Sequence, residues 1–161
     1  MKTIGARATN VKYIDRHAVR LVIKNPSTQE IVIIFVRKGS YYKLPGGGVE
    51  AGEDHRVAAV REAEEETGCR VTIVGNGDCF ATTEEWRNDL HQMSYGYSTA
   101  MVEDTGIVAL TEDEVADGLQ HEWLSLSAAI EKVAACQPTS ELGQFIKERD
   151  LFLMRAFADS L

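Results

Sequence analysis

Apolar residues fall into short runs in the first two thirds of the chain and into helical patterns later. Residues 17–23 form an apolar run interrupted by Arg20, which indicates a strand. Ile31–Val36 is β-branched or aromatic at every position, which is typical of a strand buried on both faces. Further strands are predicted over residues 70–74, 79–83, 91–102 and 121–124.

Three helices are predicted from periodicity and from residues that favour helix ends. The first lies between Asp54, a good N-cap, and Gly68, which suits the left-handed position that follows a helix. The second begins at Ser125 or Ser127 and ends near Ala135. The third covers residues 141–157, and its apolar side is formed by Leu142, Phe145, Ile146, Leu153 and Phe157.

The order of these elements favours a mixed sheet between helical layers, because strands precede and follow the first helix and two helices end the chain. Residues 103–118 are acidic and are expected to form a loop. No internal repeat, low-complexity tract or linker interrupts the pattern, so we expect a single domain over residues 1–161.

The first helix carries an unusual concentration of charge. Glu62, Glu65 and Glu66 fall on one face, while Val60, Ala63 and Thr67 fall roughly 140° away on the helical wheel. We therefore expect one side of this helix to face the core and the other to gather three carboxylates. Because like charges on adjacent turns repel, neutralising Glu62 or Glu66 is expected to leave the metal-free protein equally or more stable.

Hard oxygen ligands at this density suit Mg²⁺ or Mn²⁺, which would relieve the repulsion. The alternative is a solvated acidic face, the usual fate of glutamate runs. A glycine turn precedes the helix at Gly46, Gly47 and Gly48, where backbone can approach a ligand closely.

The stretch from Gly47 to Cys69 reads GGVEAGEDHRVAAVREAEEETGC. Its glycines, glutamates and arginine match every charged and glycine position of the Nudix box; Ala63 and Cys69 occupy the two apolar positions. With about one chance match in fifteen per position, seven matches arise at about 10⁻⁸ per window. The chain thus resembles the Nudix (MutT-like) hydrolases. The matching positions are Gly47, Glu53, Arg61, Glu62, Glu65, Glu66 and Gly68.

The resemblance implies an α+β Nudix fold, with a mixed β-sheet in an α/β/α sandwich. It also implies hydrolysis of a nucleoside diphosphate linked to a group X, by water attack at phosphorus with Mg²⁺ or Mn²⁺ as cofactor. Glu62, Arg61 and Glu65 are the catalytic candidates it implies, with Arg61 orienting a glutamate of the box. The metal ligands it implies are Gly46 through its carbonyl, Glu53, Glu62, Glu65 and Glu66.

The general base is expected to be Glu62, and the second choice lies in the acidic loop at Glu112, Glu114 or Asp117. Arg37 and Lys43 flank the turn that enters the box and are candidates for contact with substrate phosphates, as is Glu114 for substrate binding. Exposed surface charge is an equally good reading of the two cations.

The sequence narrows the choice among substrate classes only partly. No proline lies between Pro45 and Pro138, whereas the ADP-ribose subfamily usually has one soon after the box. The chain is short, like the family members that clear oxidised or surplus nucleoside triphosphates, and this resemblance favours a nucleoside triphosphate. A nucleotide sugar, a dinucleoside polyphosphate, and a catalytically silent nucleotide sensor with this fold remain the alternatives.

Composition constrains the partners. The chain has 161 residues and a formal net charge of −8, which argues against a nucleic-acid polymer because no basic stripe neutralises phosphates. The first ten residues contain no apolar segment of the signal-peptide type, and no run is long enough to span a membrane. We expect a cytoplasmic protein with a small-molecule nucleotide substrate, three reduced buried cysteines and no membrane contact; a homodimer is left open.

Overall fold

The computed structural model describes residues 1–161 and contains eight strands and four α-helices. The strands are β1 (Lys2–Gly5), β2 (Ile14–Lys24), β3 (Ile31–Val36), β4 (Tyr41–Lys43), β5 (Cys69–Ile73), β6 (Ala81–Arg87), β7 (Leu90–Asp104) and β8 (Leu119–Leu124). The helices are α1 (His55–Thr67), α2 (Glu112–Asp117), α3 (Leu126–Ala135) and α4 (Glu141–Asp159).

The sheet is built around a long parallel pair. β2 and β7 run together from Ile14 opposite Leu90 to Lys24 opposite Ala100. The main order is β1-β6-β7-β2-β3-β4, with β5 also paired to β7 and β8 also paired to β3. β1 pairs with β6 in parallel, and the remaining pairs are antiparallel, so the sheet is mixed as predicted.

Helices cover both faces of this sheet, which confirms the α/β/α arrangement. Side chains alternate along β2 because successive residues of a strand point to opposite faces. Leu21 packs in a core with the α1 residues Ala58 and Ala63, whereas Val22 packs in a second core with Leu153 of α4. Arg20 shares the α4-facing side of β2 with Val22, and it is the charged residue that interrupted the apolar pattern.

The glycine turn is held against β2 like an additional strand. The backbone N–H groups of Val19 and Leu21 donate to the carbonyls of Gly47 and Pro45, each at 2.9 Å, and that of Val49 donates to His17 at 2.9 Å. Gly46 has φ of 138°, and a Cβ there would overlap the Val19 carbonyl, so the turn requires glycine at this position. This ladder positions the turn beside α1.

Three predictions about the elements need correction. Val60 was expected to face the core, but it is 36% exposed, because the core-facing surface of α1 is formed by alanines, Ala63 among them. Residues 103–118 are not all loop, because they contain α2, whose N-cap Thr111 forms a capping box with Glu114. The predicted strand over residues 79–83 begins and ends later, as β6, and β1 was not predicted.

The short strand β4 was not predicted either, and the remaining predicted elements agree closely with the structure or differ only at their ends. Ser125, not Ser127, caps α3, since its side chain accepts a hydrogen bond from the Ala128 N–H. All three cysteines are unbridged; Cys69 is buried as expected, but Cys79 and Cys136 are only half-buried. None of the helices combines the length and the apolar character that a membrane crossing requires.

Candidate active site

A cavity of about 540 Å³ lies between the glycine turn, α1, α2, α4 and the ends of β2 and β6. Four of its lining residues, which we call the carboxylate wall, are Glu62, Glu65 and Glu66 of α1 with Glu114 of α2. Four others, which we call the arginine wall, are Arg16, Arg20, Arg87 and Arg149. Opposite charges thus line one open space.

A larger groove of about 1020 Å³ runs along the outer side of α1, between that helix and the loop that contains Ile107. Val57, Val60 and Ile73 contribute to its lining. It lacks buried carboxylates and the glycine turn, so the smaller cavity is the candidate site.

Arg61 connects the carboxylates of the box to the turn. Its Nε and Nη2 atoms each donate to Glu53 at 2.8 Å, and Nη2 also donates to the Gly48 carbonyl at 3.1 Å. Its Nη1 atom donates to Glu62 at 3.0 Å and to Glu65 at 3.2 Å. The Arg61 hydrogen bonds hold the pKa of Glu53 down at about 2, and the same bonds raise the pKa of Arg61.

Glu66 is held by two donors on the opposite side of the turn. Its Oε1 atom lies 2.7 Å from Lys43 Nζ, and its Oε2 atom accepts the Gly46 N–H at 2.9 Å. Burial raises the pKa of Glu66 even though Lys43 favours the charged form. The carboxylate is therefore fixed in orientation at the start of the glycine turn.

Glu62 lies directly against the turn. A Cβ on Gly47 would overlap the Glu62 carboxylate, so glycine is the residue that leaves room for it. Burial raises the pKa of Glu62, and the neighbouring Glu66 adds to the rise; Arg61 opposes both. Raised pKa values caused by burial and like charge are typical of carboxylates that bind a cation or accept a proton.

The chemistry of these donors fits a divalent metal ion. Glu62 and Glu66 are 8% and 5% exposed, and buried hard oxygen ligands of like charge suit Mg²⁺ or Mn²⁺. In the present arrangement no three acidic, histidine or cysteine side chains converge closely enough to share one ion. Arg61 donates hydrogen bonds to Glu62 and Glu65, and Arg20 Nη1 donates to the Gly46 carbonyl at 2.8 Å. Metal binding would exchange some of these partners.

Glu114 reaches the cavity from α2. Its carboxylate accepts the Thr111 N–H at 2.9 Å, and Thr111 Oγ1 accepts the Glu114 N–H at 3.2 Å. Burial raises the pKa of Glu114, but hydrogen bonds with Thr111 and Glu66, together with the charge of Lys43, outweigh it and lower the net pKa. Of the three acids considered in this segment, only Glu114 lines the cavity; Glu112 is exposed and Asp117 pairs with Lys38.

The arginine wall is assembled from three elements that are far apart in the sequence. Arg149 of α4 is 2% exposed and holds Asp150 through Nε at 2.7 Å and Nη2 at 3.1 Å. Arg16 Nη1 donates to Gln92 at 2.6 Å. Arg20 is 5% exposed, and burial lowers its pKa to about 10, with the nearby Arg149 adding to the effect.

The structure brings most of the predicted site residues together. The cavity is lined by Lys43, Gly46, Arg61, Glu62, Glu65, Glu66 and Glu114. Glu53 does not line it, because both of its oxygens face Arg61. Arg37 does not line it either: its side chain is exposed and lies against Gly118.

Sequence reasoning missed the arginine wall. Its members have no common spacing, because they belong to β2, β6 and α4. The one available signal was Arg20, a single charge in an otherwise apolar run. A buried charge in such a position calls for a partner or a function.

Comparison with known proteins shows which family the chain matches. The NUDIX domain model matches residues 15–141. A 45-residue stretch, 28% of this chain, is 47% identical to the RNA pyrophosphohydrolase of Roseobacter denitrificans. It spans only 26% of that relative.

Two solved structures resemble the fold over most of the chain. The MutT protein from Methanosarcina mazei Go1 has a TM-score of 0.63 at 18% identity, covering 94% of this chain and 99% of its own. The C. elegans Ap4A hydrolase has a TM-score of 0.58 at 20% identity, covering 91% and 98%. At these identities the likeness establishes the fold alone.

Proposed function

The chain belongs to the Nudix family, and from this premise we propose that it is a divalent-metal-dependent pyrophosphohydrolase. It hydrolyses a nucleoside diphosphate linked to a further group, and a nucleoside triphosphate is the first candidate. The observation that carries the proposal is the pair of buried carboxylates, Glu62 and Glu66, that face a glycine turn in an open cavity.

The residues that would hold the metal are Glu62, Glu65 and Glu66 with the Gly46 carbonyl. Members of the family generally use divalent metals, and these donors are the hard oxygens that Mg²⁺ and Mn²⁺ prefer. Such an ion, when bound, polarises phosphoryl oxygens and lowers the pKa of coordinated water. Glu53 supports the site from outside the cavity, by holding Arg61.

Glu62 is the proposed general base. Its position against the Gly47 backbone fixes the carboxylate, and its raised pKa brings proton affinity closer to neutral pH, where a base works best. Glu114 is the second candidate, because it is the acid of α2 that lines the same cavity.

Arg61 and Lys43 act mainly by positioning the carboxylates of α1. Arg61 fixes Glu62 and Glu65 relative to the turn through one guanidinium, so its planar geometry aligns both carboxylates at once. Lys43 holds Glu66 and also lines the cavity, where its ammonium is available to a substrate phosphate. Phosphoryl transfer depends on such positioning more than on covalent chemistry.

A substrate panel tests the proposal. The chelator-dialysed protein is given Mg²⁺ or Mn²⁺ with nucleoside triphosphates, a nucleotide sugar, a dinucleoside polyphosphate and an RNA with a 5′-triphosphate end. The last two are included because relatives with this fold are named an Ap4A hydrolase and an RNA pyrophosphohydrolase. We expect release of phosphate or pyrophosphate that chelator abolishes. No turnover of any compound would instead favour a nucleotide-binding module.

A further inference from the structure

Most arginines of the arginine wall have no ion-pair partner. Two buried carboxylates, Asp150 and Glu85, lie close to this wall. Both carboxylates form ion pairs with Arg149: Asp150 lies 2.7 Å from its Nε, and Glu85 lies 3.8 Å from its Nη1. The other three arginines form no ion pair.

Arg20 is buried, yet its positive charge has no ion-pair partner and most of its donors form no hydrogen bond. Its only hydrogen bond runs from Nη1 to the Gly46 carbonyl at 2.8 Å, and its Nε has no partner. The Nε of Arg87 is likewise buried without a partner. Unpaired buried donors destabilise a fold, and a buried charge without a counter-ion does so more strongly.

A structural role accounts for only part of this arrangement. Arg20 ties the glycine turn to β2, but the turn already has three backbone hydrogen bonds to the same strand. One N–H group suffices for the Gly46 carbonyl, whereas a guanidinium offers five donors. The remaining donors of Arg20 and Arg87 belong to side chains that line the same cavity as the carboxylate wall.

We propose that the arginine wall binds a terminal phosphate group of the substrate, with Arg20 and Arg87 as its principal donors. A guanidinium binds phosphate oxygens through paired N–H groups, and a terminal phosphate has a charge of about −2 at neutral pH. Arg149 is a positioning residue, because its own charge is already neutralised.

This inference rests on the proposed hydrolysis and narrows its substrate. The carboxylate wall holds the linkage that is cleaved, so a group that reaches the arginine wall belongs to the same phosphate chain. A nucleoside triphosphate or another substrate with an open-ended phosphate chain provides a terminal dianion there. A nucleotide sugar or a dinucleoside polyphosphate ends instead in a neutral sugar or nucleoside.

Binding of inorganic pyrophosphate without metal tests the site independently of turnover. Calorimetry in chelator and low salt compares the wild type with Arg20→Met, Arg87→Met and the control Arg155→Met, which removes an exposed arginine of α4. We expect Kd to rise at least about tenfold in the first two variants and to stay unchanged in the control. Equal binding by all four proteins, or no binding by the wild type at millimolar pyrophosphate, overturns the inference.

Kinetics then test the substrate class. With metal present, Arg87→Met should raise KM for a nucleoside triphosphate far more than KM for the matching nucleotide sugar. An equal change for both compounds contradicts a terminal-phosphate site. If no compound is turned over but pyrophosphate binding still depends on Arg20 and Arg87, the anion site stands and the proposed reaction falls.

Stability distinguishes binding from folding. Arg20→Met removes a buried charge that has no close counter-ion, which stabilises the fold, and also the donor to the Gly46 carbonyl, which destabilises it. The variant should therefore melt close to the wild type in the absence of ligand. Pyrophosphate should raise the melting temperature of the wild type and of Arg155→Met only. A large loss of stability in Arg20→Met would mean that Arg20 is a structural residue, and Arg87→Met, at a half-buried position, would then decide the phosphate role alone.

Discussion

Lys43 Nζ lies 2.7 Å from Glu66 Oε1, and the two side chains are 13% and 3% exposed. The pair joins the end of β4 to α1 across the start of the glycine turn. Glu62 lies one turn earlier on the helix. Its ion-pair partner is Arg61, which also pairs with Glu53 and Glu65. The two buried carboxylates therefore respond differently to neutralisation.

Glu62→Gln and Glu66→Gln should each lower turnover by at least about 10²-fold, the usual loss when a positioned catalytic group is removed. Their stabilities should differ. The helical wheel alone predicts relief of repulsion in both. Glu66→Gln, however, leaves the half-buried Lys43 without its ion-pair partner and should lower the free energy of unfolding by about 1–3 kcal/mol. Glu62→Gln should be neutral or stabilising.

Urea denaturation in chelator measures these stabilities, and the substrate panel measures turnover. Glu64→Gln on the exposed side of α1 serves as a control for the loss of one helix carboxylate. Near-normal turnover in Glu62→Gln and Glu66→Gln would remove both residues from the site.

Gly47→Ala should lower turnover at least about tenfold, because the added Cβ would lie 2.7 Å from Glu62 Cδ and force the carboxylate to move. The backbone of Gly47 tolerates alanine, so a folded protein is expected. In Gly48→Ala the new Cβ meets only the flexible Arg16 guanidinium, at 3.2 Å, and this variant is the matched control. Equal activities in the two variants would argue that the fit between Gly47 and Glu62 is unimportant.

Glu114→Gln should lower turnover at least about tenfold, a loss of roughly 1.4 kcal/mol of transition-state stabilisation, if this carboxylate assists the reaction. Glutamine still accepts the Thr111 N–H, so the capping box and the stability should persist. Glu114→Ala should lose activity and also about 0.5–1 kcal/mol of stability. Glu112→Gln and Asp117→Asn should be close to neutral. Wild-type kinetics in Glu114→Gln would make Glu114 a cap and nothing more.

His91, which does not line the cavity, makes stability depend on pH. Burial lowers the pKa of His91, but hydrogen bonds with Asp15 at 2.7 Å and Glu84 at 3.1 Å outweigh it and raise the net pKa above 6.5. The folded state then binds a proton that the unfolded state has lost. This stabilisation is complete below pH 6.5 and disappears as pH rises through the folded pKa.

Unfolding free energies of the wild type and His91→Gln therefore should differ most near about pH 6 and least near about pH 8.5. His55→Gln is the control, because its ring contacts Tyr95 and no carboxylate. A wild-type advantage that is constant across this range would exclude the titration of His91 as its source.

Local signals predicted α1 well, because its ends depend on neighbours in sequence. Asp54 accepts the Arg56 N–H, and Gly68 adopts the left-handed conformation at φ of 73°, as expected. The apolar face was harder to predict: a wheel ranks Val60 above Ala58, but only a small residue permits close approach of α1 to the sheet. Packing distance is a property of the assembled layers.

Elements without an apolar pattern could not be predicted in this way. α2 buries none of its residues, so only the capping box of Thr111 and Glu114 indicates it, and that signal is four residues long. β1 is formed by KTIG and is stabilised by pairing with β6, far along the chain. The arginine wall depends likewise on contacts between distant segments, whereas the carboxylate wall is mostly contained in one box.

The cavity depends on contacts between segments that are far apart in the sequence, such as the parallel pair of β2 with β7, so its parts form in a definite order. Paired residues such as Arg16 and Gln92 lie 76 positions apart, and the Leu44 N–H donates to Asp150 across 106 positions. Contacts of high sequence separation form slowly, because a large loop must close first. During synthesis β2 and the box helix emerge early, with Arg16 and Arg20, but β6 and α4, which supply Arg87 and Arg149, follow only later. The nascent chain therefore acquires the acidic face of α1 well before the arginine wall is complete.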